Sequence, residues 1–92
     1  MAPERSPRLK TVLGYVGANV RRLRLDRGLT QRDLANGAGL KERYVQLLEA
    51  GKANPTVGVL LDVADILGAS PSEFFAPAKS EQRLPGNPRL PR

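Results

Sequence analysis

Between Arg8 and Asn54 the chain contains no proline, and its apolar residues recur at spacings of three and four. Together these features constrain the fold more than any other. A long proline-free run broken only by glycines favours a series of helices. Leu9, Val12, Val16, Val20 and Leu23 form one apolar stripe, which predicts a helix over about residues 10–27, stopped by Gly28. Thr30 with Asp33 is a capping box and starts a second helix. Its inner face is Leu34, Ala35 and Ala38, and Gly39 ends it. A third helix covers about residues 41–50, with Val45 and Leu48 inward and Gly51 at its end. The fourth runs from Thr56 to Leu67, with Val57, Leu60, Leu61, Ala64 and Leu67 as its apolar face. Ser70, Pro71 and Glu73 start a short fifth helix that carries Phe74 and Phe75. No run alternates with a period of two. The expected fold class is all-α, a compact five-helix bundle.

A chain of 92 residues makes one small domain. Its expected extent is residues 9–76, between a basic tail at 1–8 and a proline-rich basic tail at 77–92, both expected to be disordered. There are no cysteines and no histidines. Thiolate and imidazole ligands, the commonest nucleophiles and the commonest general base are therefore missing. There is also no glycine-rich loop of the kind that cradles phosphates. No enzyme, metal site or cofactor is expected. With no Trp, two Tyr and two Phe, a stacking surface for single strands is not expected either. An apolar run such as Val59–Leu61 falls far below the ~20 residues of a membrane span. The first ten residues lack a signal-peptide core, so the expected location is the cytoplasm.

The formal charge is +6, and it is unevenly distributed. Residues 11–52 carry an excess of Arg and Lys, whereas residues 53–76 carry Asp62, Asp65 and Glu73 and no base. The bland reading is solubility charge. The sharper reading is a polyanion-binding face built from the first half.

The segment Gln31–Ala50 carries the most information. Two helices crossing over a short turn need a small residue at the close approach, supplied by Ala35. The turn needs a left-handed backbone, supplied by Gly39. Apolar residues must face inward around it, and Leu34, Leu40, Val45 and Leu48 stand at those places. This is the helix-turn-helix pattern. From Leu29 to Phe75 the chain resembles the phage repressor and Cro type, or XRE, helix-turn-helix family. The landmarks are Leu29-Thr30-Gln31, Leu34-Ala35, Ala38-Gly39, Tyr44-Val45, Glu49, Gly51-Lys52, Asn54-Pro55, Leu60-Leu61, Ala64, Leu67-Gly68 and Phe74-Phe75.

The resemblance implies a lambda-repressor-like bundle. It also implies a prokaryotic or phage transcription regulator that binds double-stranded DNA as a homodimer on a near-palindromic operator, in the nucleoid. The third helix would lie in the major groove. Its outward side chains are Lys41, Glu42, Arg43, Gln46 and Leu47. Arg43 suits guanine, Glu42 a cytosine amino group, Gln46 adenine and Leu47 a thymine methyl. The resemblance puts Gln31, Lys52 and Asn54 on phosphates, with Gln31 also bracing residue 42. Tyr44 is open between a phosphate contact and covering the core edge. Arg24 and Glu49 match a family pair that forms a buried ion pair. Arg21, Arg22 and Arg27 read as a solvated face. Val63, Ile66, Ala69 and Phe75 read as an isologous dimer patch. Three features depart from common members: Lys41 at a helix cap, Gly37 inside a helix, and Leu47 on the reading face. The alternative function is an antitoxin or protein-interaction module that binds a protein partner, such as a toxin or RNA polymerase, and autoregulates its operon; a third is an adaptor that bridges proteins with little base specificity.

Overall fold

Ser6 opens the first helix. Its hydroxyl accepts from the Leu9 N–H at 3.0 Å, and Pro7 follows at the first helical turn, where its missing N–H leaves nothing unsatisfied. The computed structural model describes residues 6–77. The elements are α1 (Pro7–Asp26), α2 (Gln31–Ala38), α3 (Glu42–Glu49), α4 (Val57–Leu67) and a 3₁₀ helix (Pro71–Phe75). The start of α1 precedes the expected residue 10, because the Ser6-Pro7 cap outweighs proline as a tail marker. The expected tails lie outside the described residues, except for Ser6–Arg8 and Pro77.

Every regular element among the described residues is helical, but there are four α-helices, not five. The segment Pro71–Phe75 is too short to nucleate an α-helix and closes as a 3₁₀ turn. The Glu73 carboxylate accepts from the Ser70 N–H at 2.9 Å and fixes its start. The turn delivers Phe74, fully buried, to the core. No described helix is long and apolar enough to cross a membrane.

α1 packs on α3, on the 3₁₀ helix and on α4, and α2 packs on α3 and α4. Val16, Val20, Leu34, Val45, Leu48, Val63 and Phe74 form the centre of the core. Two contacts hold this arrangement. Gly17 of α1 faces the end of α3, and a Cβ there would stand 2.5 Å from the Leu48 carbonyl oxygen. Only glycine lets the two backbones approach so closely. Buried Asn19 donates to the Phe74 carbonyl at 3.1 Å and to the Ala76 carbonyl at 2.7 Å. It thereby ties the 3₁₀ helix to α1.

α4 corrects the expected apolar face. The buried set is Leu60, Val63, Ala64 and Leu67, while Val57 is 72% and Leu61 47% exposed. Val63 is fully buried, so it cannot belong to a surface patch as expected. α4 is apolar almost all round, so two stripes satisfy the three-and-four spacing. Packing on α2 selects one of them. Ile66 leans onto α2 at Gly37, where a Cβ would lie 3.1 Å from its Cδ1. Gly37 therefore answers to packing. Arg27 is not a simple solvated residue: its guanidinium donates to the Leu67 carbonyl at 2.8 Å and caps α4.

Candidate nucleic-acid interface

α2 ends because Gly39 adopts φ 71°, ψ 32°, a left-handed conformation that side chains disfavour. The Leu40 N–H then reaches back to the Ala35 carbonyl at 2.8 Å. The chain leaves this turn directly into α3 with Lys41 as N-cap. The α2–Gly39–α3 unit is therefore built rigidly from residues that the sequence pattern singles out.

Its far end is locked by Glu49. This carboxylate accepts from Arg24 Nε at 2.6 Å, from Arg24 Nη2 at 3.1 Å and from Gln31 Nε2 at 3.1 Å. The third Arg24 nitrogen, Nη1, donates to the Leu29 carbonyl at 2.8 Å. Both charged side chains are nearly fully buried, at 8% and 4% exposure. One cluster thus joins the end of α1, the start of α2 and the end of α3. A forked pair of this kind, with every guanidinium nitrogen making a hydrogen bond, is the form in which buried ions are tolerated.

The outward face of α3 presents Arg43 and Gln46, both exposed, with Lys41 exposed before it. Arg43 Nη1 and Gln46 Oε1 stand 3.5 Å apart, a weak contact that leaves both free to turn outward. Leu47 is half-buried and packs on the core edge. Tyr44 does the same, so its core-covering role is real, and part of the ring stays accessible. Leu40, Tyr44 and Leu47 line an open depression of about 390 Å³ whose rim carries Lys41 and Arg43. Lys52 and Asn54 are exposed in the loop after α3.

Two placements differ from expectation. Gln31 does not brace Glu42, because its amide is drawn to buried Glu49 instead. Glu42 is held by Arg32, whose Nε lies 3.2 Å from Glu42 Oε1. The sequence reading missed Arg32, although its position at the second residue of α2, next to the start of α3, was a usable signal. Lys41 makes no side-chain cap hydrogen bond. A cation at a helix N-terminus also opposes the helix dipole. α3 therefore begins with a residue poorly suited to starting a helix.

The electrostatics follow from these positions. Arg32, Lys41, Arg43 and Lys52 project from one unit, and its exposed acids are engaged, Glu42 by Arg32 and Asp33 by the Thr30 N–H. A helix end with exposed bases beside it matches a polyanion backbone and base edges.

Residues 20–74 match the model of the family described as helix-turn-helix, HTH_3. The chain belongs to this family. The helix-turn-helix protein is 42% identical over 62 residues to an uncharacterized HTH-type transcriptional regulator, y4dJ, of Sinorhizobium fredii, covering 67% of this chain and 80% of that one. It is similar to the restriction-modification controller protein C.AhdI of Aeromonas hydrophila, with a TM-score of 0.66 and 36% identity, over 68% of this chain and 96% of that one. It is also similar to the clp gene regulator ClgR of Corynebacterium glutamicum, with a TM-score of 0.70 and 30% identity, over 76% of this chain and 74% of that one. The helix-turn-helix protein is thus a DNA-binding transcriptional regulator of the XRE type, in a family without enzymatic chemistry.

Proposed function

We propose that this regulator binds a near-palindromic operator as a homodimer and reads bases through α3. The carrying observation is the outward face of α3, where Arg43 and Gln46 are exposed and aligned on a helix that the Gly39 turn and the Glu49 cluster fix in place. In this reading Lys41, Glu42, Arg43, Gln46 and Leu47 meet base edges. Gln31, Tyr44, Lys52 and Asn54 meet phosphates, with Gln31 keeping one amide N–H for that purpose.

In this reading the dimer surface is formed by α4 and the 3₁₀ helix. Val57, Leu61 and Phe75 are exposed there, and Ile66 and Ala69 are half-buried. Solvent-exposed apolar groups of this size favour self-association. Similarity to a controller protein over 96% of that protein's length supports the same class of small operator-binding regulator.

The test is selection of bound sequences from a random duplex pool at ~0.15 M salt, where nonspecific phosphate binding is weakened. The expected result is enrichment of a two-fold symmetric site with half-sites about one helical turn apart. Binding that falls steeply with salt yet enriches no sequence contradicts the proposal.

A further inference from the structure

One charged pair on the reading face belongs to neither the core nor the expected contacts. Arg32 Nε and Glu42 Oε1 stand 3.2 Å apart, with 75% and 39% of the side chains exposed. An ion pair this exposed adds little to stability. It joins the first turn of α2 to the first residue of α3, where no backbone hydrogen bond requires a link. Its chemistry matters more than its strength. Glu42 is the acid of the first turn of α3, and the exposed acid of the first turn of α2, Asp33, is already held by the Thr30 N–H. A bare carboxylate carried toward phosphates would be repelled. Paired with a guanidinium, it enters as part of a neutral unit.

The pair is also directional. Arg32 engages Oε1 alone, through Nε, so Oε2 stays free to accept from a base amino group. The two Nη nitrogens of Arg32 make no other hydrogen bond among the described residues and keep donors for a phosphate. Gln31, the neighbour that could have done this work, is committed to Glu49.

From this geometry we infer that Arg32 is a positioning residue for base recognition. It neutralises and orients Glu42 so that the free carboxylate oxygen selects a cytosine amino group in the major groove. This rests on the proposal that α3 reads DNA. It makes the cytosine preference a property of two residues on two helices.

The experiment uses the full chain and the duplex recovered by selection, with each base pair of a half-site varied in turn. Binding is followed by fluorescence anisotropy for the wild type, Arg32→Ala, Arg32→Lys, Glu42→Ala and the double variant. Glu42→Ala identifies the base pair that residue 42 reads, by loss of preference there. Arg32→Ala should reduce the preference at that same base pair about tenfold, the worth of one good base contact, and leave the other positions unchanged. In the Glu42→Ala background the same change should no longer alter preference. Arg32→Lys keeps the charge without the planar fork, so it should restore affinity more than preference. Melting temperatures should match the wild type, since both side chains are exposed.

Equal weakening of every sequence by Arg32→Ala, with the preference intact, would make Arg32 a plain phosphate contact and overturn the inference alone. Independent, additive effects of the two changes would overturn it as well. Full preference in Glu42→Ala would remove residue 42 from base reading, and the inference with it. No selected site for the wild type would instead contradict the function proposed above, and the inference would fall with it.

Discussion

Glu49 shows how much of this molecule depends on single side chains. It accepts from Arg24 twice and from Gln31 once, with almost no solvent contact. Truncation by Glu49→Ala leaves the Arg24 guanidinium buried and partly unpaired. It should lower unfolding free energy by about 3–5 kcal/mol, measured by chemical denaturation. The pair was legible in the sequence only because Arg24 and Glu49 match a family pattern; twenty-five residues separate them and no local spacing joins them. Gly17 and Asn19 were not legible. Apolar periodicity reports which side of α1 faces inward, but not that its backbone passes against the Leu48 carbonyl. Nor does it report that an asparagine on that side holds the carbonyls of Phe74, in the 3₁₀ helix, and Ala76, just after it.

At the scale of elements, the helix starts differ in what they contribute. α2 begins with a complete box: Thr30 Oγ1 accepts from the Asp33 N–H, and the Asp33 carboxylate accepts from the Thr30 N–H, both at 2.9 Å. The Thr30 backbone bond, then the Thr30 hydroxyl, holds the Asp33 carboxyl below its ordinary value of 3.8. A lowered carboxyl pKa means that the folded state favours the ionised form. The resulting stability is present above pH ~4 and is lost as pH falls through the lowered value. Asp33→Asn should therefore flatten the acid limb of a stability-versus-pH curve. α3 is the opposite case, because Lys41 offers no cap. Lys41→Ser should stabilise the fold by about 1 kcal/mol in thermal or chemical unfolding. The same change should weaken DNA binding, by removing a cation from the interface. Capping boxes, glycine stops and the α2–α3 turn were readable because their chemistry is local. On α4, Leu60, Ala64 and Leu67 were readable as inward, but Val57 and Leu61 stood where Val63 belongs, because a helix apolar almost all round carries two acceptable stripes and packing on α2 selects between them.

On the scale of the whole molecule, charge is uneven along the chain, and the fold brings Asp62 and Asp65 of α4 beside Gly37–Gly39 of the α2–α3 turn. Exposed bases stand on and around α2 and α3, while the α4–3₁₀ segment carries no base and exposes Val57, Leu61 and Phe75 as apolar surface. The proposed dimer uses that apolar surface. Leu61→Asp should leave the fold intact, since Leu61 is 47% exposed. It should halve the solution mass seen by sedimentation and weaken operator binding far more than binding to a single half-site. Unchanged mass would remove Leu61 from any dimer contact. The charge asymmetry along the chain was legible from residue order; that α4 carries Asp62 and Asp65 up to Gly37–Gly39 of the α2–α3 turn was not, because only the packing of α4 on α2 brings them there.

The most direct test of base reading by α3 compares the wild type with Arg43→Ala and Gln46→Ala in the same sequence selection, with circular dichroism as the folding control. Both side chains are exposed, so both variants should fold. The predicted result is loss of preference at separate positions of the half-site, worth ~1–3 kcal/mol each. Variants that fold and enrich the same site as strongly as the wild type would contradict base reading by α3.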